Sequence, residues 1–220
     1  MIALAGFGAV ALVLLAIMKL ASEIAEGEAT AFDVAVLRAL RDVARPGTAL
    51  TSTMLGITHL GDTVTLTALV LVVAGFLLTA RRHGMALFLI LAASVGTLLV
   101  QLLKHLIDRP RPEVVAHWTS FASASFPSGH AANSAIIYLT LAVLIARSVT
   151  SRALRIYVVA VAMLLSFLIG LSRLYLGVHW PTDVLSGWIL GAGWALFCSS
   201  VAWWLQARRT LAPPSFTSGT

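Results

Sequence analysis

Residues 84–103 read GMALFLILAASVGTLLVQLL, a run without one Asp, Glu, Lys or Arg. At about 1.5 Å of helical rise per residue, such a run crosses the hydrocarbon core of a bilayer, which needs about 20 apolar residues. Outward from it, five more charge-free intervals follow the same rule, at 1–18, 63–80, 114–146, 156–172 and 184–207. The interval 114–146 is too long for one helix, and Phe126-Pro127-Ser128-Gly129-His130 breaks it, placing a polar loop before a helix that starts near 129. The interval 46–61 holds Pro46, Gly47, Gly56, Gly61 and several Thr, so it reads as a surface turn leading into the second span. The fold expected is all-α, a polytopic membrane protein with six transmembrane helices.

Composition agrees. Of 220 residues, 59% are hydrophobic and 11% charged, against the roughly 25% charged of an ordinary soluble domain. The mean hydropathy of +0.94 leaves too few polar side chains to cover a soluble globule and excludes a disordered chain. A single cysteine, Cys198, forms no internal disulfide and carries no information on redox compartment. The first interval lacks the basic start of a cleaved signal, its only cation, Lys19, lying at the far end, so it reads as a retained helix. The connection 21–62 is expected to hold an interfacial helix near 31–45, in the first outer loop. There Phe32, Val36, Ala39, Leu40 and Val43 recur at helical spacing while Asp33, Arg38, Arg41 and Asp42 face elsewhere, with Leu37 breaking the pattern. Residues 1–210 form one domain, and 211–220 read as a disordered cytoplasmic tail.

Charge sets the orientation. The links after the second and fourth spans and the tail hold Arg81, Arg82, Arg147, Arg152, Arg155, Arg208 and Arg209 and no acid, whereas all nine acidic residues share the opposite side with the other eight cations. The positive-inside rule then puts both termini and the arginine-only links in the cytoplasm of a multi-pass cell (inner) membrane protein. Trp203 and Trp204 suit an interfacial belt at that face. The net charge of +6 is accounted for by topogenic arginine, and no aromatic-interleaved basic groove argues for nucleic acid.

The outward connections concentrate the unusual chemistry: Lys104 through Arg111-Pro112, then Ser125 through His130, then Ser172-Arg173 through His179 and Asp183. Singly, Lys104, Arg111 and Arg173 read as snorkelling anchors, His130 as a solvated loop residue and Asp183 as a helix cap. Together they are the parts needed to handle phosphate. Arg111 and Arg173 offer planar forks for equatorial oxygens and Lys104 a point charge. Ser128 offers a hydroxyl, and Gly129 admits the anion to the unsatisfied first amides of a helix. His179 precedes Asp183 by four residues, close enough for the carboxylate to fix one ring nitrogen and leave the other to attack. His130, one residue after Gly129, is placed to protonate the leaving oxygen. His59, His105 and His117 lack comparable partners and read as loop or interface residues. Only Asp108 and Glu113 remain near the phosphate once Asp183 is assigned, so no carboxylate cage for a metal is expected.

The Lys104 to Arg111-Pro112 spacing, Pro127-Ser128-Gly129-His130, and Ser172-Arg173 with His179 and Asp183 resemble, in order and register, the three signature motifs of the type 2 phosphatidic acid phosphatase superfamily. The resemblance implies a metal- and cofactor-independent phosphatase working through a phosphohistidine. In it His179 is nucleophile, Asp183 its orienting partner and His130 the general acid, with Lys104, Arg111, Ser128, Gly129 and Arg173 binding phosphate. Arg109 lies outside the core pattern, and it either steers anionic substrate or pairs with Asp108 or Glu113; Ser172 supports the loop. The compact frame is similar to bacterial enzymes acting on undecaprenyl diphosphate, phosphatidylglycerol phosphate or phosphatidic acid, with a membrane lipid phosphate as partner and the oligomeric state open. Two alternatives remain: a vanadate-dependent haloperoxidase-like protein, against which the six spans count, and a lipid or anion transporter, against which the placement of every charge at a span end counts.

Overall fold

The computed structural model describes residues 2–25, 28–119 and 123–207. They form eight helices: α1 (Ile2–Ala25), α2 (Glu28–Val43), α3 (Ala49–His59), α4 (Thr63–Thr79), α5 (His83–Ile107), α6 (Gly129–Ser148), α7 (Arg152–Tyr175) and α8 (Pro181–Ala207), with no strand among the described residues. The expected tail at 211–220, and Arg208 and Arg209, lie outside the described residues.

Helices α5, α6, α7 and the Pro181–Trp204 part of α8 are each long and apolar enough to cross a membrane. The α3–α4 pair passes the same test as one unit bent by 48°, which makes up to five such spans among the described residues against the six expected. The first charge-free interval lies in α1, which packs along α8. The segment 46–61, expected to be a turn, is largely helix: Thr48 caps α3, its side chain accepting from the Thr51 amide, and the apolar chain simply continues toward α4 around Gly61 and Asp62. The outer surface is apolar, with Val72, Phe76, Leu98 and Met163 all more than half exposed, as lipid-facing side chains are.

The interior is built for close approach. On α6, Ala131, Ala132 and Ala135 are buried, and α8 meets them through Gly187 and Gly191. A Cβ added at Gly191 would stand 2.4 Å from the Ala135 Cβ, and one at Gly187 would stand 2.8 Å from the Ser128 carbonyl oxygen. Four residues apart on one face, these two glycines bring the helix backbones together where van der Waals packing, not hydrophobic exclusion, drives association. The start of α6 is thereby set against the start of α8, and the Ser128 amide donates to the Asp183 carbonyl at 2.9 Å.

Helix α2 corrects the expected amphipathic pattern. Leu37, which breaks the predicted apolar face, is buried, and so is Asp33, one turn earlier on the same face. Phe32 and Val43 of the predicted face are exposed instead. The helix therefore has two usable sides: the Asp33–Leu37 side packs inward near α1, α7 and α8, and the Phe32 side faces out.

Candidate active site

The C-terminal ends of α5 and α7 and the N-terminal ends of α6 and α8 converge at one end of the bundle. They enclose a cavity of about 150 Å³ lined by Lys104, Arg111, Gly129, His130, Arg173 and His179, all singled out from the sequence, together with Gly61, Thr63, Gln101, Ser123 and Asn133, which were not. The cavity suits a phosphate-sized group.

His179 is buried in the turn between α7 and α8. Its Nδ1 lies 3.4 Å from Asp183 Oδ2, the i,i+4 contact read from the spacing. Asp183 is itself buried and richly supplied with donors. Arg109 Nη1 donates to Oδ1 at 2.7 Å, and the Trp180 amide donates to Oδ2 at 2.9 Å. Ser125 Oγ also donates to Oδ2. A carboxylate so paired is ionised and only accepts, so Nδ1 carries the His179 proton and Nε2 keeps the lone pair. Arg111 Nη1 stands 3.2 Å from that Nε2. Burial, reinforced by the charge of Arg111, pushes the His179 imidazole down to about 3, against the opposing pull of Asp183, so the ring is neutral at pH 7 and its Nε2 carries a lone pair.

Cations surround this atom. Arg111 is fixed by the Ser123 carbonyl at Nε and the Val178 carbonyl at Nη1, and burial lowers its guanidinium to about 10, still fully charged at neutral pH. Lys104 Nζ donates to the Ala124 carbonyl at 2.6 Å, and Arg173 Nη1 donates to Thr58 Oγ1 at 2.8 Å. The Arg173 Nε and the Ser128 Oγ are buried with no partner within the protein. Ser128 occupies the N-cap of α6 but its side chain makes no capping bond. A donor left over at a helix N-terminus beside three cations is the arrangement an anion completes.

Arg109 sits otherwise than the sequence suggested, and several neighbours were not legible as site residues at all. Arg109 neither lines the cavity nor pairs with Asp108 or Glu113: it is buried, with Nη2 on Asp33 at 2.7 Å and Nη1 on Asp183, so it braces the carboxylate that contacts His179. Asp33 also accepts from the Thr182 amide and hydroxyl at 3.0 and 2.7 Å, tying α2 to the first turn of α8. The signal available was Leu37, whose misfit marked the face that carries Asp33. His59, read as an unpartnered loop residue, has Nδ1 2.7 Å from Asp62. His117 bonds the Pro112 carbonyl, and Ser172 Oγ donates to the Ile169 carbonyl at 2.6 Å, a support role as read.

A neutral, carboxylate-oriented histidine facing a phosphate-sized cavity ringed by cations, at one end of an apolar helical bundle, defines a membrane-embedded enzyme of phosphoryl transfer. Comparison with known proteins agrees. The PAP2 superfamily model matches residues 83–207. Phosphatidylglycerophosphatase B of Bacillus subtilis is 35% identical over 64% of this chain and 70% of its own length. Decaprenylphosphoryl-5-phosphoribose phosphatase of Mycobacterium tuberculosis is 32% identical over 80% of this chain and 92% of its own. The crystal structure of a transmembrane PAP2-type phosphatidylglycerolphosphate phosphatase from Bacillus subtilis superposes with a TM-score of 0.80 at 31% identity, covering 91% of this chain and 98% of that one. The chain belongs to the PAP2 superfamily and is a phosphatase.

Proposed function

We infer that this phosphatase hydrolyses a lipid phosphomonoester or diphosphate through a phosphohistidine on His179. The observation that carries the reading is the His179 ring itself, with Nδ1 toward Asp183 and Nε2 in a cavity shared with Arg111, Lys104 and Arg173. Nε2 attacks phosphorus as the bond to the leaving oxygen breaks. His130 gives that oxygen a proton, and water then releases phosphate from His179. Arg111, Arg173 and Lys104, with the Ser128 hydroxyl and the first amides of α6 at Gly129, hold the equatorial oxygens as charge builds on them.

The substrate class is an amphiphile whose phosphate reaches the end of the bundle. The phosphatases named above act on phosphatidylglycerol phosphate and on a decaprenylphosphoryl sugar phosphate, and another relative is an undecaprenyl-diphosphatase of Sulfolobus acidocaldarius. Undecaprenyl diphosphate, phosphatidylglycerol phosphate and phosphatidic acid are the substrates proposed. The arginine asymmetry supports a site on the outer face of the cell membrane with both termini inside, α1 as the sixth span and α2 at the outer interface, all within one unit over residues 1–210.

The test is phosphate release from an array of those three lipids by the purified protein, with His179→Ala as control. Release by the wild type alone supports the reading, and the best substrate names itself by kcat/KM. Release from none, with net movement of lipid across liposomes, would replace the enzyme by a transporter. Labelling of Cys introduced at position 117, and not at 82, by an impermeant reagent outside intact cells supports the orientation; the reverse overturns it.

A further inference from the structure

The break between α3 and α4 enters the site from a direction that no sequence motif marks. Gly61 lies against the His130 ring, where a Cβ would come within 3.2 Å of its Cδ2, and the Tyr138 hydroxyl donates to the Leu60 carbonyl at 2.9 Å, fastening the break to α6. Beside Gly61, Asp62 Oδ1 is 2.7 Å from His130 Nε2 and Oδ2 is 2.7 Å from His59 Nδ1. Asp62 occupies the N-cap position of α4, where an aspartate ordinarily accepts from the helix's own amides, yet its side chain makes no capping bond. Both oxygens are committed to imidazoles instead.

We propose that Asp62 is the positioning carboxylate of His130, so that the cavity is served by two histidine–carboxylate pairs, His179–Asp183 for attack and His130–Asp62 for departure. The proposal rests on the reading of His130 as general acid. Asp62 accepts from Nε2, which leaves Nδ1 as the nitrogen that exchanges protons with substrate. The imidazolium form of His130 donates its Nδ1 proton to the oxygen that departs as the P–O bond breaks, and the neutral ring keeps its Nε2 proton on Asp62. It regains a proton at Nδ1 from the water that attacks the phosphohistidine, so the cycle returns His130 to its starting charge. Such a donor needs help in this cavity. Arg173 from α7, Arg111 from the loop and Lys104 from α5 all share the pocket with it, and each cation opposes the imidazolium. His179, the remaining titratable group there, is neutral. Asp62 is the one carboxylate in contact with His130 among the described residues, and His59 on its second oxygen holds it toward the ring from the exposed side.

The experiment compares Asp62→Asn and His130→Ala with the full-length wild type in detergent micelles, on an alkyl and an aryl phosphate, with pH profiles. An expelled aryl oxide needs little protonation, so loss of the acid shows chiefly on the alkyl substrate. For Asp62→Asn we expect kcat on the alkyl phosphate to fall on the order of 10–100-fold, less than the ~10²–10⁴-fold scale of losing the general acid outright. KM changes little, aryl turnover stays within a few-fold, and the basic limb of the pH profile moves to lower pH. Asp62→Glu, which restores the charge, recovers part of the loss and serves where Asp62→Asn folds poorly. Leaving-group-dependent loss in His130→Ala, with wild-type alkyl turnover and an unmoved pH profile in Asp62→Asn, overturns the role of Asp62 and leaves that of His130 standing. Equal loss on both substrates in His130→Ala overturns the general-acid reading and the proposal with it.

Discussion

Asp33 and Arg109, 76 residues apart in the chain, meet at 2.7 Å in an ion pair closed off from solvent, and the other end of the same guanidinium holds Asp183. One planar fork thus spans the carboxylate of α2 and the carboxylate proposed to orient His179, a geometry a lysine cannot reproduce. Arg109→Lys is expected to lower kcat on the order of tenfold or more with KM nearly unchanged, on alkyl and aryl phosphates alike. Steady-state kinetics decide the matter, since a raised KM at constant kcat would return Arg109 to the role of steering substrate.

Removing the proposed attacking atom should abolish chemistry while sparing binding. His179→Ala should show background turnover and no acid-labile phosphoenzyme, yet still bind inorganic phosphate. Asp183→Asn, its amide oxygen drawn to Arg109, turns an N–H toward His179 and favours the wrong tautomer, and should cost on the order of the ~10⁴-fold seen when an analogous orienting carboxylate is amidated. Rapid-quench capture of labelled phosphoprotein checks both, and wild-type burst amplitude in His179→Ala would move the nucleophile elsewhere.

Acid should weaken the fold partly through His179. Its folded pKa, about 3, lies below the ordinary ~6.5, so between those values the unfolded chain takes up a proton that the folded one refuses. The contribution is fully present above about pH 6.5 and is lost progressively as pH falls toward about 3. Melting temperatures of the wild type and His179→Ala, compared from pH 7.5 down to pH 4.5, should therefore converge or cross in favour of the variant. A gap that widens on acidification contradicts this burial argument.

Chelation should leave activity intact. Asp108 and Glu113 are exposed and do not line the cavity, and the carboxylates that contact site residues are committed, Asp183 to Arg109 and His179, Asp33 to Arg109 and Thr182, Asp62 to two histidines. Phosphate release measured in EDTA, and lost there but restored by Mg²⁺, would require one of these carboxylates to leave its partner for a metal.

The α6–α8 crossing admits no extra methyl. Gly191→Ala puts a Cβ 2.4 Å from Ala135, so one helix must yield, at a cost of about 1–3 kcal/mol for overpacking. Because the same crossing seats Ser128 on Asp183, activity should fall at temperatures where the variant remains folded. A melting curve and kcat/KM on one preparation test it, and wild-type values for both would show that the helices slip past each other freely.

The parts of the site that were legible in the sequence are those held by local spacing. Asp183 reaches His179 because four residues separate them, and Ser128, Gly129 and His130 share one helix start, so their proximity follows from chain geometry alone. Spans α5 to α8 announced themselves by the absence of charge, which a bilayer requires of any helix crossing it. What escaped depends on distant pairing. Asp33, Asp62 and Thr58 meet Arg109, His130 and Arg173 only once the bundle closes, and nothing in their own neighbourhoods marks them. The segment 46–61 misled because glycine and proline argue for a turn in water, whereas in an apolar setting the backbone must satisfy its own hydrogen bonds and stays helical.

Phe32 and Asp33 are successive residues of α2 on different sides of the helix, one exposed and one sealed against Arg109. With α2 at the bilayer surface, as proposed, a single peptide unit separates the lipid environment from the carboxylate that holds Arg109 against Asp183. On that proposal the headgroup layer acts on catalysis through one helix, and swapping short-chain detergent for native-like nanodiscs should change turnover number while leaving phosphate affinity alone.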